Sequence, residues 1–308
     1  VYRVFRDEER ITDYASLGFS LFTGTSGQAP WGYLTAEHPD QALSYSGVAY
    51  LAAANYNLGS SASTPQHGFE TGGLRYNTGP LANGDADCAL VIGDLLTDPV
   101  FGAGFTNGTI DETQLLSGPN ATTTGDNSFQ TYCRALGIGI SPALSSQETA
   151  GSIIDRWTRL TDTATVWTGY SLKFIPYGTE EITAHGYHYL PNTQIAYVIR
   201  DADCVTERGQ PPVMVSRSDP ADTNNSIKLT LKNRENEYNP APVEWKDQGL
   251  IDQYGLRQGN NIEASEVCDL DTGSLIVSLI GQREAYSRNT YEFTLPANYC
   301  LVEPMDIL

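Results

Sequence analysis

The apolar residues of this chain change period part-way along, and that change limits the folds open to it more than any other feature. Over residues 146–160, Ile153, Ile154 and Trp157 share one face at helical spacing. Over residues 227–232, Ile227, Leu229 and Leu231 alternate with Lys228, Thr230 and Lys232, as in a strand with one buried and one wet face. Helical segments dominate up to about residue 182 and strands follow. The eight regular strand–helix repeats of a (β/α)8 barrel are missing. The class this predicts is α+β, spread over more than one domain.

Punctuation residues place the elements. Residues 1–35 read as short strands broken by Gly and Ser. A helix is expected over 40–55, with Leu43, Val48, Leu51 and Ala52 as its stripe, then a loop over 59–65 and a strand over 68–76. Asp87 caps a helix through residue 96 that Asp98-Pro99 ends. Residues 102–126 are rich in Gly, Thr and Asn and read as a loop or insertion with one helical piece near 110–116. Helices over 127–136, stopped by Gly137, and 146–160 precede a hairpin of 165–167 and 171–176. Strands are expected near 194–199, 213–217, 227–233, 261–268 and 289–296, and helices over 243–254 and 272–286. The domains so defined are 1–126, an N-terminal portion carrying the insertion; 127–181, a small helix–helix–hairpin unit; and 182–308, mostly β with two helices.

Composition excludes whole classes of partner. The chain holds 37 acidic against 18 basic residues, a net charge of −19. It cannot bind nucleic acid by phosphate neutralisation, and an anionic membrane repels it. Hydrophobic residues at 40% favour a folded chain over a disordered one. No apolar run nears the ~18 residues of a membrane span. Cys88, Cys133, Cys204, Cys268 and Cys300 are odd in number and widely spaced, without Cys-x-x-Cys, so buried free thiols are expected rather than a disulfide scaffold or zinc site. The opening VYRVFRDEER reads as a strand and charged turn rather than a signal peptide, and the closing VEPMDIL as a strand still under way, so an excised segment is expected.

Each constellation with chemical potential fails on spacing. His185 and His188 lack a third ligand nearby, and Gly186 between them disfavours a shared helical face. Asn83-Gly84-Asp85-Ala86-Asp87 opens like a calcium loop, but Cys88 stands where Gly is required and Asp94 where a bidentate Glu is. The glycines at 102, 104 and 108 are one residue too long for a dinucleotide fingerprint. Gly24-Thr25-Ser26-Gly27 lacks the register of a nucleophile elbow. Glu235, Glu237, Glu244 and Asp247 cluster around a Pro-containing turn, where solvated charge is the simpler reading than a glycosidase pair. Asn107, Asn120 and Asn224 begin Asn-x-Ser/Thr triplets expected by chance in so Asn/Thr-rich a chain. No catalytic, cofactor or metal residue is assigned. The 18 tyrosines suit half-buried sites and interfaces alike.

Several blocks nevertheless fall in a telling order. PPVMVSRSDPADTNNSIKLTLKNRENEYNPAPVEWKDQ starts at Pro211, and RNTYEFTLPANYCLVEPMDIL runs from Arg288 to Leu308. HPDQALSYSGVAYLAAANYNLGSSAS and DADCALVIGDLLTDPVFGAGF, from His38 and Asp85, lie upstream. The chain resembles the phage tail protein family that supplies hub segments of tail-tip attachment proteins in long-tailed phages (siphophages) and gene transfer agents. The resemblance is weaker between about 108 and 126. It implies antiparallel β-barrel-like hub domains with flanking helices. It implies a virion structural protein with no enzymatic activity, assembled in the bacterial cytoplasm and placed at the distal tip of the tail. There it would form a homotrimer on the tail tube as a baseplate hub, closing the tube and opening for DNA release. Its partners would be the distal tail, tail tube and tape measure proteins. DNA would pass without specific binding, and the host surface would be met only indirectly. Tyr286, Tyr291 and Tyr299 lie in the blocks that carry the likeness. A tail-borne cell-wall or capsule glycosidase and a carbohydrate- or receptor-binding module are the rival readings.

Overall fold

The computed structural model describes residues 3–7, 9–11, 15–58, 63, 65–72, 84–106, 108–206 and 209–308. The chain separates into two units, residues 1–75 and residues 76–308.

In the first unit, β1 (Arg3–Arg6) lies between β2 (Glu9–Ile11) and β5 (His67–Glu70) in an antiparallel sheet. β3 (Phe19–Thr23) pairs antiparallel with β4 (Ala49–Ala53), and a short helix α1 (Gly32–Glu37) lies between them in sequence. β4 replaces the helix expected over 40–55. Tyr45 at φ 47° and Gly47 at φ 83° take left-handed backbone that no α-helix can carry. Local helical spacing therefore yields to the cross-strand ladder, where Tyr50 stacks on Phe22 at 4.5 Å. β5 supplies the start of the strand expected over 68–76. Residues 73–76 and most of the 59–65 loop fall outside the described residues.

The second unit opens with β6 (Ala86–Asp87), which runs into α2 (Cys88–Thr97). Then come α3 (Glu112–Leu115), α4 (Phe129–Leu136), β7 (Gly139–Ile140) and α5 (Ala150–Leu160). Next are two hairpins: β8 (Thr163–Thr168) with β9 (Ser171–Pro176), and β10 (Ile182–Ala184) with β11 (Tyr187–Tyr189). Local chemistry sets the helix ends. The Asp87 carboxylate accepts from the amides of Ala89 and Leu90, and the Ser128 and Thr149 hydroxyls accept at the starts of α4 and α5. Gly137, at φ 73°, ends α4 as expected. Phe129 and Phe174, with centroids 5.9 Å apart, join α4 to β9. Ile92, Leu96, Trp157 and Leu160 fill the same core. Each such side chain contributes about 1.5–3 kcal/mol by leaving water.

The remainder of this unit contains β12 (Met214–Arg217), β13 (Ser226–Asn233), β14 (Asn239–Lys246), α6 (Gln248–Tyr254), β15 (Ile262–Ala264), α7 (Leu270–Tyr286) and β16 (Asn289–Glu292). β13 is central, antiparallel to β14 and parallel to β15. Ile227, Leu229 and Leu231 are all buried, as their alternation predicts. α7 crosses this sheet closely because of two glycines. A Cβ at Gly273 would strike Leu231, and one at Gly281 would strike the ring of Trp245. A single hydrophobic cluster runs from α2 through to α7.

Two expectations in this stretch need correction. The helix over 243–254 begins only at Gln248, because residues 239–246 pair with β13 along its whole length. Pro240 and Pro242 fit there because β14 is an edge strand of its sheet. Residues 194–199 form no strand, only an isolated bridge from Ile195 to Ile307. The α+β class holds, with small, mostly antiparallel sheets; among the described residues none closes into a barrel.

Candidate functional site: a charged seam and an exposed arm

Two features of residues 76–308 stand out chemically. The first is a set of ion pairs built on the buried carboxylates of Asp85, Asp87, Asp162 and Glu266. Asp85 lies just before β6 and is 1% exposed. It accepts from the Arg234 guanidinium beyond β13 and from the Ser141 hydroxyl beyond β7. Asp87 receives Gln130 and Arg134 from α4, the latter at 2.7 Å. Arg156 of α5 donates to Glu266 beyond β15 and to Glu148, both at 2.6 Å. Arg283 of α7 approaches Asp162, in the turn between α5 and β8, at 2.9 Å and lies 4.2 Å from the centroid of the Tyr177 ring. Asp85–Arg234, Glu266–Arg156 and Asp162–Arg283 each join the helix-and-hairpin part to the β13–β15 and α7 part.

Burial and charge act against each other here. Burial pushes the Asp162 carboxyl above the usual range and Arg283 only partly offsets it. Burial also raises the Tyr132 hydroxyl far out of range, and moves Tyr189 up to about 12. Tyr189 donates to the Gly178 carbonyl at 3.1 Å. The two tyrosines therefore stay protonated through neutral pH. The arrangement ties backbone segments together around buried carboxylates.

The second feature is an arm made of residues 191–222 and 287–308. Its regular structure is the ribbon of β12 and β16, exposed along both strands. Val198 is 68% exposed, Val215 61%, Tyr291 57% and Leu301 75%. Ala196 donates to the Ile307 carbonyl and Val205 to that of Thr294, so backbone bonds rather than a core hold the arm together. A lone two-stranded ribbon is marginal in water. Large apolar exposure gathered in one region marks an interaction surface.

The residues singled out in the sequence are scattered. His185 and Gly186 are the two central residues of the β10–β11 hairpin turn, both with positive φ, the requirement of a type I′ turn. His185 Nδ1 lies 3.0 Å from the Ala135 carbonyl, whereas His188 faces Glu181 at 2.7 Å. The two imidazoles therefore serve different neighbours. Asp85 and Asp87 are consumed by Arg234 and by the cap of α2; Asn83 and Asn107 lie outside the described residues. Gly102 folds back on α2, so close to the Leu95 carbonyl that no Cβ fits, and Ala103 donates to that carbonyl. Gly24 to Gly27 form a turn stapled by Gln28, whose side chain bonds Gly24, Ser44 and Tyr45. Glu244 accepts from Ser226 and pairs with Lys246. Asp247 caps α6 and accepts from Tyr286. Glu235 lies in a 3-10 turn after β13, with Glu237 just beyond it. Asn120 starts a turn, and Asn224 lines a cavity near the arm. Tyr299 packs on Tyr197 at 5.5 Å. None of the five cysteines forms a disulfide, and Cys88, Cys133 and Cys268 are buried. Among the described residues no three His, Cys, Asp or Glu gather as metal ligands, and no helix is long and apolar enough to cross a membrane.

A family model described as "Putative phage tail protein" matches residues 149–308, just over half the chain. The chain belongs to this family. The match takes in α5, both hairpins, the β13–β15 sheet, α7 and the arm. No curated protein matches the chain. A solved structure described as the virion of a native gene transfer agent particle superposes on 99% of this tail protein and on 67% of its own chain, with a TM-score of 0.55 and 17% identity. At that identity the likeness speaks for the fold.

The seam was invisible in the sequence. Arg134, Arg156, Arg234 and Arg283 find carboxylates 47, 110, 149 and 121 residues away. No local pattern announces such pairs.

Proposed function

We propose that this tail protein is a hub segment of the tail tip, closing the distal end of the tail tube until DNA is released. Three copies would form a ring on the tube, meeting the distal tail, tube and tape measure proteins. The part from 182 to 308 would be its tube-like domain, and open sheets of neighbouring copies would complete barrel-like walls. The arm is the observation that carries this reading. Within the family-matched half, about fifty residues forgo a core of their own and present Val198, Val215, Tyr291 and Leu301 to solvent. Such a surface suits burial between subunits.

The charge supports a passage for DNA. DNA carries about one negative charge per 1.7 Å of axis, so a wall rich in Lys or Arg would hold it. Here Arg134, Arg156, Arg234 and Arg283 are spent in the seam, and the acidic excess remains for the surfaces. Acidic side chains are therefore proposed to outnumber basic ones along the lumen. Gating would rest on interfaces that rearrange, with no chemistry. Antibody labelling of purified particles provides the test. Label at the distal tail end supports the reading, and label on the capsid or along the tail shaft would remove it.

A further inference from the structure

At the root of the arm the chain forms an open cavity of about 300 Å³. Its wall comes from three places: Ser218 just beyond β12, the turn 222–224 before β13, and the end of α7 with Glu284, Ser287 and Arg288. The Ser218 amide donates to the Arg288 carbonyl at 3.0 Å, which fixes the two strands of the root together. The volume is at the lower end of what small-molecule sites occupy.

The charges around this cavity are unusual. Arg288 provides a guanidinium and Asp222 and Glu284 provide carboxylates, yet no ion pair forms among them. Arg288 Nε is buried without any hydrogen-bond partner. A buried donor left unmade costs about 1–3 kcal/mol, more when charged. The usual remedy, collapse of the guanidinium onto a neighbouring carboxylate, is not taken. Cation and anions are held apart around an open space.

We propose that this cavity binds a small zwitterion bearing a carboxylate and an ammonium, such as a free α-amino acid. The carboxylate would take the terminal N–H groups of Arg288 through charge-assisted hydrogen bonds. The ammonium would take Asp222 and Glu284. Ser218, Ser287 and Asn224 offer neutral donors and acceptors for what remains. A lone anion is disfavoured, because the cavity's side chains sum to −1. A lone cation is disfavoured by the guanidinium.

The test is ligand-observed saturation-transfer NMR on the full chain with glycine and alanine, against acetate, ethylammonium and glucose. Saturable binding of glycine and alanine, weaker binding of acetate and of ethylammonium, and none of glucose is expected. Arg288→Gln should weaken glycine binding about tenfold or more, the value of a charge-assisted hydrogen bond, with the melting temperature preserved. Glu284→Gln should weaken glycine more than acetate. No saturable binding of either amino acid overturns the proposal. So does acetate binding as tightly as glycine, glucose binding instead, or glycine affinity unchanged in both variants.

Discussion

The β13–α7 layer and the arm are neighbours in sequence and opposites in construction. In the first, Leu229, Leu231, Ile276 and Val277 are buried, and two glycines let α7 settle against the sheet. In the second, valines and tyrosines of the same kind face solvent on a ribbon with no covering layer. Both segments have the apolar residues a core needs. The difference lies in what covers them. The layer is completed by its own chain, and the arm is proposed to be completed by another molecule.

That contrast can be broken most violently at the seam. Asp85→Ala leaves Arg234 without its buried partner and should destabilise the chain by about 3–5 kcal/mol in urea unfolding. An arm substitution with as large a cost would contradict the division drawn here. Overpacking the layer comes next. Gly281→Leu drives a side chain into Trp245 and should cost about 1–3 kcal/mol.

A finer probe is the pH dependence of Asp162. Its carboxyl is raised by burial, so its contribution to stability is full below the ordinary carboxylate pKa and is lost as pH rises through the raised one. At neutral pH the buried charge is a cost. Asp162→Asn removes that cost and retains Arg283 over Tyr177. Relative to the parent, the variant should melt highest at pH 7, and the difference should shrink as pH falls. A difference independent of pH would show that burial and Arg283 cancel, and a variant that melts lowest, relative to the parent, at pH 7 would show that Arg283 outweighs burial.

The smallest effect on stability belongs to the arm. Val215→Ser with Tyr291→Ser should leave urea unfolding of the free chain within about 0.5 kcal/mol. Incorporation of the chain into particles, read by immunoblot, should nevertheless drop sharply. Normal incorporation would mean that the arm is not an assembly surface.

What the sequence revealed was local. Asp87 as a cap, Gly137 as a stop, and the alternation at Ile227, Leu229 and Leu231 each rest on contacts within a few residues. The errors arose where distant pairing overruled local spacing. β4 formed where helical spacing was read, because Tyr45 and Gly47 turn the chain back toward β3. β14 absorbed the start of a helix because β13 offered a full ladder. The orphaned donor of Arg288 required three segments to meet, which no spacing shows. The family was readable because it depends on ordered blocks rather than on any one contact.

The central claim is that this chain caps the tail tube as a ring whose arms are buried between molecules. A cryo-electron microscopy map of the intact particle tests it directly. The account predicts three copies around the axis at the distal tip, with Val198, Val215, Tyr291 and Leu301 covered by neighbouring protein and a lumen lined mainly by acidic side chains. One or six copies, arms left in solvent, or a neutral or basic lumen would contradict it.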